Sequence, residues 1–266
     1  MRKKSVLITG ASHGIGQATA IAFAKDGFDV GINYAHDSEG AKYTAEKCAE
    51  YGAKTELYKA DVTSYEQCTE MVEKFVSDFG TIDVLINNAG GLLSIPEGNF
   101  EDIPVEYWDS QIKLNLSSAA YCSKVAVKYM KAHKNNGAII NISSLHSRIT
   151  FTKRKAYPYP AAKAGLNHFT SELGCEVAKY GIRVNCVIPG LIFTPATLAR
   201  YDERRLKLFC DRIPAGRPGT VDEITPLILF LAKEENNRYI IGQSYAVDGG
   251  WTVDGVIPGM WEDDEQ

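Results

Sequence analysis

Apolar positions along this 266-residue chain follow two alternating rhythms. Short aliphatic or β-branched runs occupy residues 6–9, 29–33, 55–59, 84–87, 138–142, 183–187 and 244–247, and each reads as a strand. Between them lie longer stretches whose apolar residues return every three or four positions, at 16–25, 39–51, 65–79, 106–133, 160–179 and 221–231. Each is long enough to carry the chain over a sheet as a helix. The alternation predicts a doubly wound, Rossmann-type α/β fold. Its parallel seven-stranded sheet should carry helices on both faces, because right-handed crossovers place them there. The continuous apolar character of Val84-Leu85-Ile86 and Ile139-Ile140 suits strands covered on both sides. Such sheets bind ligands beyond the carboxyl ends of their strands, so the functional residues are expected there.

Composition narrows the class. The length suits one domain over residues 1–266, and 45% hydrophobic with 23% charged residues, without repeats or low-complexity tracts, describes an ordered globular chain. A formal net charge of -4 gives no general attraction to nucleic acid or to an anionic membrane. Much of that excess sits in Glu262, Asp263, Asp264 and Glu265, which read as a solvated tail. Six cysteines, none in a CxxC pair and several inside apolar segments, fit a reduced, cytoplasmic protein. The basic start at Arg2 to Lys4 is followed by an apolar run too short for a signal peptide, and no run reaches membrane-spanning length. No metal site is expected.

The first predicted strand runs into Thr9-Gly10-Ala11-Ser12-His13-Gly14-Ile15-Gly16 and then a helix. Glycines there permit a tight turn, and a helix N-terminus offers backbone N–H groups and partial positive charge to a pyrophosphate. The spacing GxxxGxG resembles the short-chain dehydrogenase/reductase family, and further segments extend the likeness over nearly the whole chain. Asn87-Asn88-Ala89-Gly90 is similar to the family's NNAG segment, Asp61-Val62 to the pair beside the adenine, and Pro189-Gly190 with Ile192 and Thr194 to the segment bordering the nicotinamide. Singly, each has a plainer reading: Asn87 and Asn88 as turn formers, Pro189-Gly190 as loop punctuation, Thr194 as a cap ahead of Pro195. The resemblance implies an NAD(P)-dependent oxidoreductase that interconverts an alcohol and a carbonyl compound.

Tyr159 and Lys163 lie four residues apart at the start of a predicted helix, so their side chains share one face, and Pro160 suits a first helical turn. A phenol with a pKa near 10 needs a nearby cation to act at neutral pH; a shift of about two to three units corresponds to roughly 3–4 kcal/mol. The resemblance assigns Tyr159 the proton, Lys163 the supporting charge and the cofactor ribose, Ser144 of Asn141-Ile142-Ser143-Ser144 the reacting oxygen, and Asn115 a water in the proton relay. The stretch from Ser144 to Tyr159 is about two residues longer than the family pattern, and Tyr157 is a rival phenol without the four-residue offset. The cluster Lys153-Arg154-Lys155 in that stretch is read as a solvated loop, with guidance of an anionic substrate as the other reading.

After the second strand, where NAD preference calls for a carboxylate, the chain offers Tyr34 followed by His36 and Asp37. NADP(H) is therefore favoured and NAD(H) allowed, with His13 and His36 as phosphate contacts and Asp37 as a helix cap or ribose ligand. Residues 191–214 form an expected amphipathic substrate flap, and 252–266 a C-terminal extension whose aromatic residues suit a neighbouring subunit. The family resemblance implies a homo-oligomer, with a tetramer favoured. Sugar, acyl-carrier, steroid and small-ketone substrates all stay open. The competing class is a dinucleotide-sensing regulator on the same fold, which would have little need for Asn115, Ser144, Tyr159 and Lys163 together.

Overall fold

The computed structural model describes residues 2–151, 155–194, 197, 199, 201–235 and 237–255. Seven parallel strands form one sheet: β1 (Ser5–Ile8), β2 (Asp29–Tyr34), β3 (Thr55–Lys59), β4 (Val84–Asn87), β5 (Ala138–Ile142), β6 (Arg183–Pro189) and β7 (Ser244–Val247). Their spatial order is β3-β2-β1-β4-β5-β6-β7. The direction of winding reverses between β1 and β4, which opens a crevice beyond the carboxyl ends of those two strands.

Period-two alternation divides the core. Val6, Ile8, Val30, Ile32, Val84, Ile86 and Ile140 face one side, where they pack with Ala20 and Phe23 of α1 (Gly14–Lys25) and Ala41 of α2 (Ser38–Ala49). Leu7, Leu85, Ile139 and Val184 face the other, against Met71 and Phe75 of α3 (Tyr65–Phe79). Register locks these rows, with Leu7 opposite Leu85 and Leu85 opposite Ile139. A one-residue slip would turn every one of them to the wrong face.

The expected helix over 106–133 is interrupted. α4 (Val105–Ile112) and α5 (Ser118–His133) are joined by a π-helical turn at Lys113–Ser117, with Asn115 inside it. The wider turn is held because the Asn115 amide, with its Nδ2 donating to the carbonyl oxygen of Gly91 at 3.0 Å, exchanges hydrogen bonds with a neighbouring strand end. α6 (Pro158–Val177) begins two residues earlier than the pattern suggests. Pro158 and Pro160 both occupy its first turn, where their missing N–H groups cost no intrahelical bond. α7 (Glu203–Cys210) follows within the 191–214 segment, with Asp202 accepting from the Arg205 N–H at 2.8 Å as its cap. α8 (Val221–Ala232) returns the chain to the α1 side.

Two buried polar arrangements tie helices to the sheet. The Asn87 amide donates to Asn141 Oδ1 at 2.8 Å and to Ser123 Oγ at 3.0 Å, and Asn141 donates to Thr170 Oγ1 at 2.9 Å, linking β4 and β5 to α5 and α6. Arg183, buried at the start of β6, donates to the carbonyl oxygens of Leu231 and Ala232 at the end of α8. These bonds pair buried donors that burial would otherwise penalise. Asn141→Ala is expected to lower unfolding free energy by about 1–3 kcal/mol, seen as a lower urea midpoint at unchanged slope.

Candidate active site

A cleft of about 560 Å3 opens at the β1/β4 switch point. Its floor is the glycine-rich turn, where Gly10, Ser12, His13, Gly14, Ile15 and Gly16 all line the opening. Gly16 is dictated by packing: a Cβ there would lie 2.3 Å from the Gly10 carbonyl oxygen and 2.5 Å from Asn88 Nδ2. Asn88 holds the turn from beneath, donating to the carbonyl oxygens of Thr9 and Gly10 at 2.9 Å each. Thr9 Oγ1 accepts from the backbone N–H groups of both Asn88 and Ala89 at 3.0 Å. The backbone is thereby brought to the cleft with the positive end of α1 facing it, an arrangement that fits a dinucleotide pyrophosphate.

At the rim beyond β2, Tyr34, His36 and Asp37 line the cleft. Asp37 also caps α2, its carboxylate accepting from the Gly40 N–H at 2.9 Å. Asn88, Ala89 and Gly90 form the wall beyond β4, and Pro189, Gly190, Ile192 and Thr194 form the wall beyond β6. Thr194 serves as the expected cap too, since its hydroxyl accepts from the Thr197 N–H at 3.1 Å. Asp61 and Val62 are the exceptions among the anticipated cofactor residues: neither lines the cleft. Asp61 instead shapes the turn into α3, accepting from the N–H and hydroxyl of Thr63 at 2.9 and 2.8 Å, while Val62 is buried in the core on the α3 side.

The reacting end lies beyond β5. Tyr159, Lys163 and Ser144 all line the cleft there. Lys163 Nζ lies 6.0 Å from the Tyr159 ring centroid and donates to the Ile142 carbonyl oxygen at 2.9 Å. The two serines divide their tasks. Ser143 Oγ donates to the Lys163 carbonyl at 3.1 Å and fastens α6 to the strand end, whereas Ser144 accepts from the His146 N–H at 3.3 Å and faces the cleft. The rival phenol Tyr157 packs its ring against Phe100 at 5.1 Å and does not line the cleft.

Asn115 is buried behind the wall and does not line the cleft. Its Oδ1 accepts from the Gly91 N–H at 2.8 Å, and its Nδ2 also donates to Gln111 Oε1 at 3.0 Å. Gly90 separates it from the lysine: a Cβ there would meet Asn115 Oδ1 at 2.8 Å and Lys163 Nζ at 3.2 Å. Tyr201 and Phe209, within the expected 191–214 flap segment, line the cleft together with His146, Phe151 and Trp251, which sequence reading did not anticipate. They come from three separate segments, Phe209 from α7 itself, with no shared periodicity, so only their aromatic character marked them. Of the basic cluster at 153–155, Lys155 donates to the Gly98 carbonyl oxygen at 2.6 Å, and positions 153 and 154 lie outside the described residues, as does the chain from 256 to 266.

Comparison with known proteins agrees with this geometry. Residues 10–252 match the family described as enoyl-(acyl carrier protein) reductase. The chain is 36% identical over 250 residues to the 3-oxoacyl-(acyl-carrier-protein) reductase of Thermotoga maritima, covering 94% of this chain and 98% of that one. It is 34% identical over 257 residues to the 7alpha-hydroxysteroid dehydrogenase of Bacteroides fragilis, covering 94% and 95%. A short-chain dehydrogenase/reductase from Mycobacterium marinum superposes with a TM-score of 0.88 at 31% identity, covering 95% of this chain and 97% of that one. The chain belongs to the short-chain dehydrogenase/reductase family and is an oxidoreductase of alcohol and carbonyl groups that uses NAD(P).

Burial without a carboxylate partner among the described residues draws the Lys163 ammonium down from 10.5 to about 8. Between those values the unfolded chain binds the proton that the folded chain has released, so this group's contribution to stability rises with pH across the window and is least below 8. Relative to Lys163→Met, the wild type should gain on the order of 3 kcal/mol in unfolding free energy between pH 8 and 10.5, measured by urea titration at both ends.

Proposed function

We propose that this oxidoreductase is a ketoreductase that prefers NADPH, with Tyr159, Lys163 and Ser144 as its catalytic residues and Asn115 as a positioning residue. The observation that carries the reading is the lysine ammonium 6.0 Å from the ring of the one cleft-lining tyrosine on its own helix face. The bound nicotinamide supplies the hydride in reduction and accepts it in oxidation. Tyr159 donates the proton to the carbonyl oxygen, and Ser144 hydrogen-bonds the same atom as negative charge develops there. Lys163 favours the phenolate that Tyr159 becomes. Asn115 fixes Gly91 and backs Gly90 against the lysine, so its part is to hold the ammonium's surroundings. The cofactor's phosphates are assigned to the turn from Gly10 to Gly16.

NADPH preference is supported by the rim beyond β2. Its one acid, Asp37, is engaged at the N-terminus of α2, while His13 and His36 offer ring donors. Nothing there competes with an additional phosphate as a free carboxylate would. The relatives act, by their names, on an acyl-carrier ketone and a steroid alcohol, so the reaction class is better supported than any substrate. A single domain, a cytoplasmic setting and a homotetramer complete the proposal; no described helix is long and apolar enough to cross a membrane.

Two measurements test it. Tyr159→Phe should lower kcat for carbonyl reduction at least about 100-fold while leaving the dissociation constant for NADPH within about twofold, whereas retained turnover would remove Tyr159 from the mechanism. With the wild type, kcat/KM should be at least about tenfold higher for NADPH than for NADH, and the reverse ranking would assign the rim to NAD. Cofactor binding without turnover on any carbonyl or alcohol would favour the dinucleotide-sensing reading.

A further inference from the structure

The wall of the cleft next to Tyr159 is a chain of aromatic rings. His146 meets the Tyr159 ring edge-on, with centroids 5.5 Å apart, and meets Phe151 at 4.6 Å. Phe151 meets Trp251 at 5.7 Å and 88°, Trp251 meets Phe209 at 5.7 Å, and Phe209 meets Tyr201 at 4.9 Å. All of these rings line the cleft. They arrive from the loop after β5, the flap after β6 and the turn after β7, segments far apart in sequence.

The rings are anchored as a unit. Trp251 is 5% exposed and shares a small core with Leu145 and Ile213, against which Ile149, Leu191 and Phe209 also pack. Edge-on ring contacts and burial together fix the wall's shape, because each ring is held by at least one neighbour. The lining groups Asp37, His36 and His13 belong to the opposite, nucleotide end. Among the described lining residues, Lys163 and His146 are the only ionisable groups other than tyrosines on the aromatic side. The Lys163 ammonium is taken up by the Ile142 carbonyl and the proposed chemistry.

We infer that the substrate is a neutral, predominantly apolar cyclic ketone or secondary alcohol, whose ring lies against Phe151, Trp251 and Phe209 while its oxygen reaches Ser144 and Tyr159. The inference rests on the ketoreductase reading for the position of the oxygen. A flat or puckered ring gains contact along the whole wall, where a flexible open chain must also lose conformational freedom to do so. A carboxylate or phosphate pressed against Phe151, Trp251 and Phe209 would give up its hydration to apolar rings, with His146 the one ionisable described side chain of the wall besides its tyrosines.

The test separates binding from turnover. With the full chain loaded with NADP(H), titration calorimetry would compare an alkyl-substituted cyclohexanone with the cyclohexanone bearing a carboxylate at the same position, and with an open-chain ketone of equal carbon number. The substituted cyclohexanone should bind at least about tenfold more tightly than either. Phe151→Ala should weaken it about tenfold while leaving NADPH affinity near wild type; Trp251→Phe, which keeps the small core filled, should weaken it by less. Tighter binding of the carboxylate, equal binding of the open chain, or a Phe151→Ala protein that still distinguishes the three compounds would overturn the assignment. Ring binding without turnover of any ketone would support the wall and overturn only the ketoreductase reading.

Discussion

A buried ammonium is the constraint around which the carboxyl end of this sheet is arranged. Lys163 is 4% exposed, its Nζ donates to the last carbonyl of β5, and no described carboxylate pairs with it. Desolvation on that scale works against the charged form and draws its pKa down to about 8. The surroundings act to limit the cost. Ile142 supplies an oriented carbonyl dipole, and Ser143 ties the lysine's own backbone to the strand end. Gly90 lets the next wall come close enough that a methyl group would not fit between it and the amine. A cation held this way stays responsive to whatever negative charge forms nearby, which a lysine already paired with an aspartate would not.

The sheet explains why those partners can meet at all. Ile142 and Ser143 end β5, while Asn88 to Gly91 follow β4, its neighbour in the sheet. Strand order brings the two ends side by side although some fifty residues separate them. The buried bonds among Asn87, Asn141, Ser123 and Thr170 then fix α5 and α6 to this pair of strands just below the site. Since α6 carries both Tyr159 and Lys163, the angle at which that helix crosses the sheet sets where the phenol and the amine stand. Asn115 contributes from the third direction, through a π turn that points its amide at Gly91 instead of outward.

The alternation of short and long apolar periods made the strand order's ingredients legible, and all seven predicted strands are present with ends displaced by two residues at most. The glycine turn and the Tyr159 and Lys163 pair were equally readable, because each depends on local spacing. Three features were not. The π turn leaves no periodic trace within 106–133, since one wide turn shifts the apolar face by less than the scatter of the pattern. Asp61 and Val62 follow β3 in a turn closed by bonds from the Thr63 N–H and hydroxyl to Asp61, a local geometry that leaves no periodic signature. The aromatic wall joins residues 146, 151, 209 and 251, and no single segment contains enough of it to be recognised.

That last failure has a physical basis in how the molecule separates its tasks. The groups assigned to proton transfer stand on α6 and at strand ends, within the most constrained part of the fold, where a shift of a few tenths of an ångström would disturb the Gly90 contact. The rings assigned to substrate shape stand outside the sheet, Phe151 and Trp251 on connecting segments and Phe209 on α7, where sequence can change without disturbing the sheet's register. Yet the wall is not loose: Trp251 and Ile213 are as buried as parts of the main core, and their packing with Leu145, Leu191 and Phe209 joins the segments after β5 and β6 to the turn after β7.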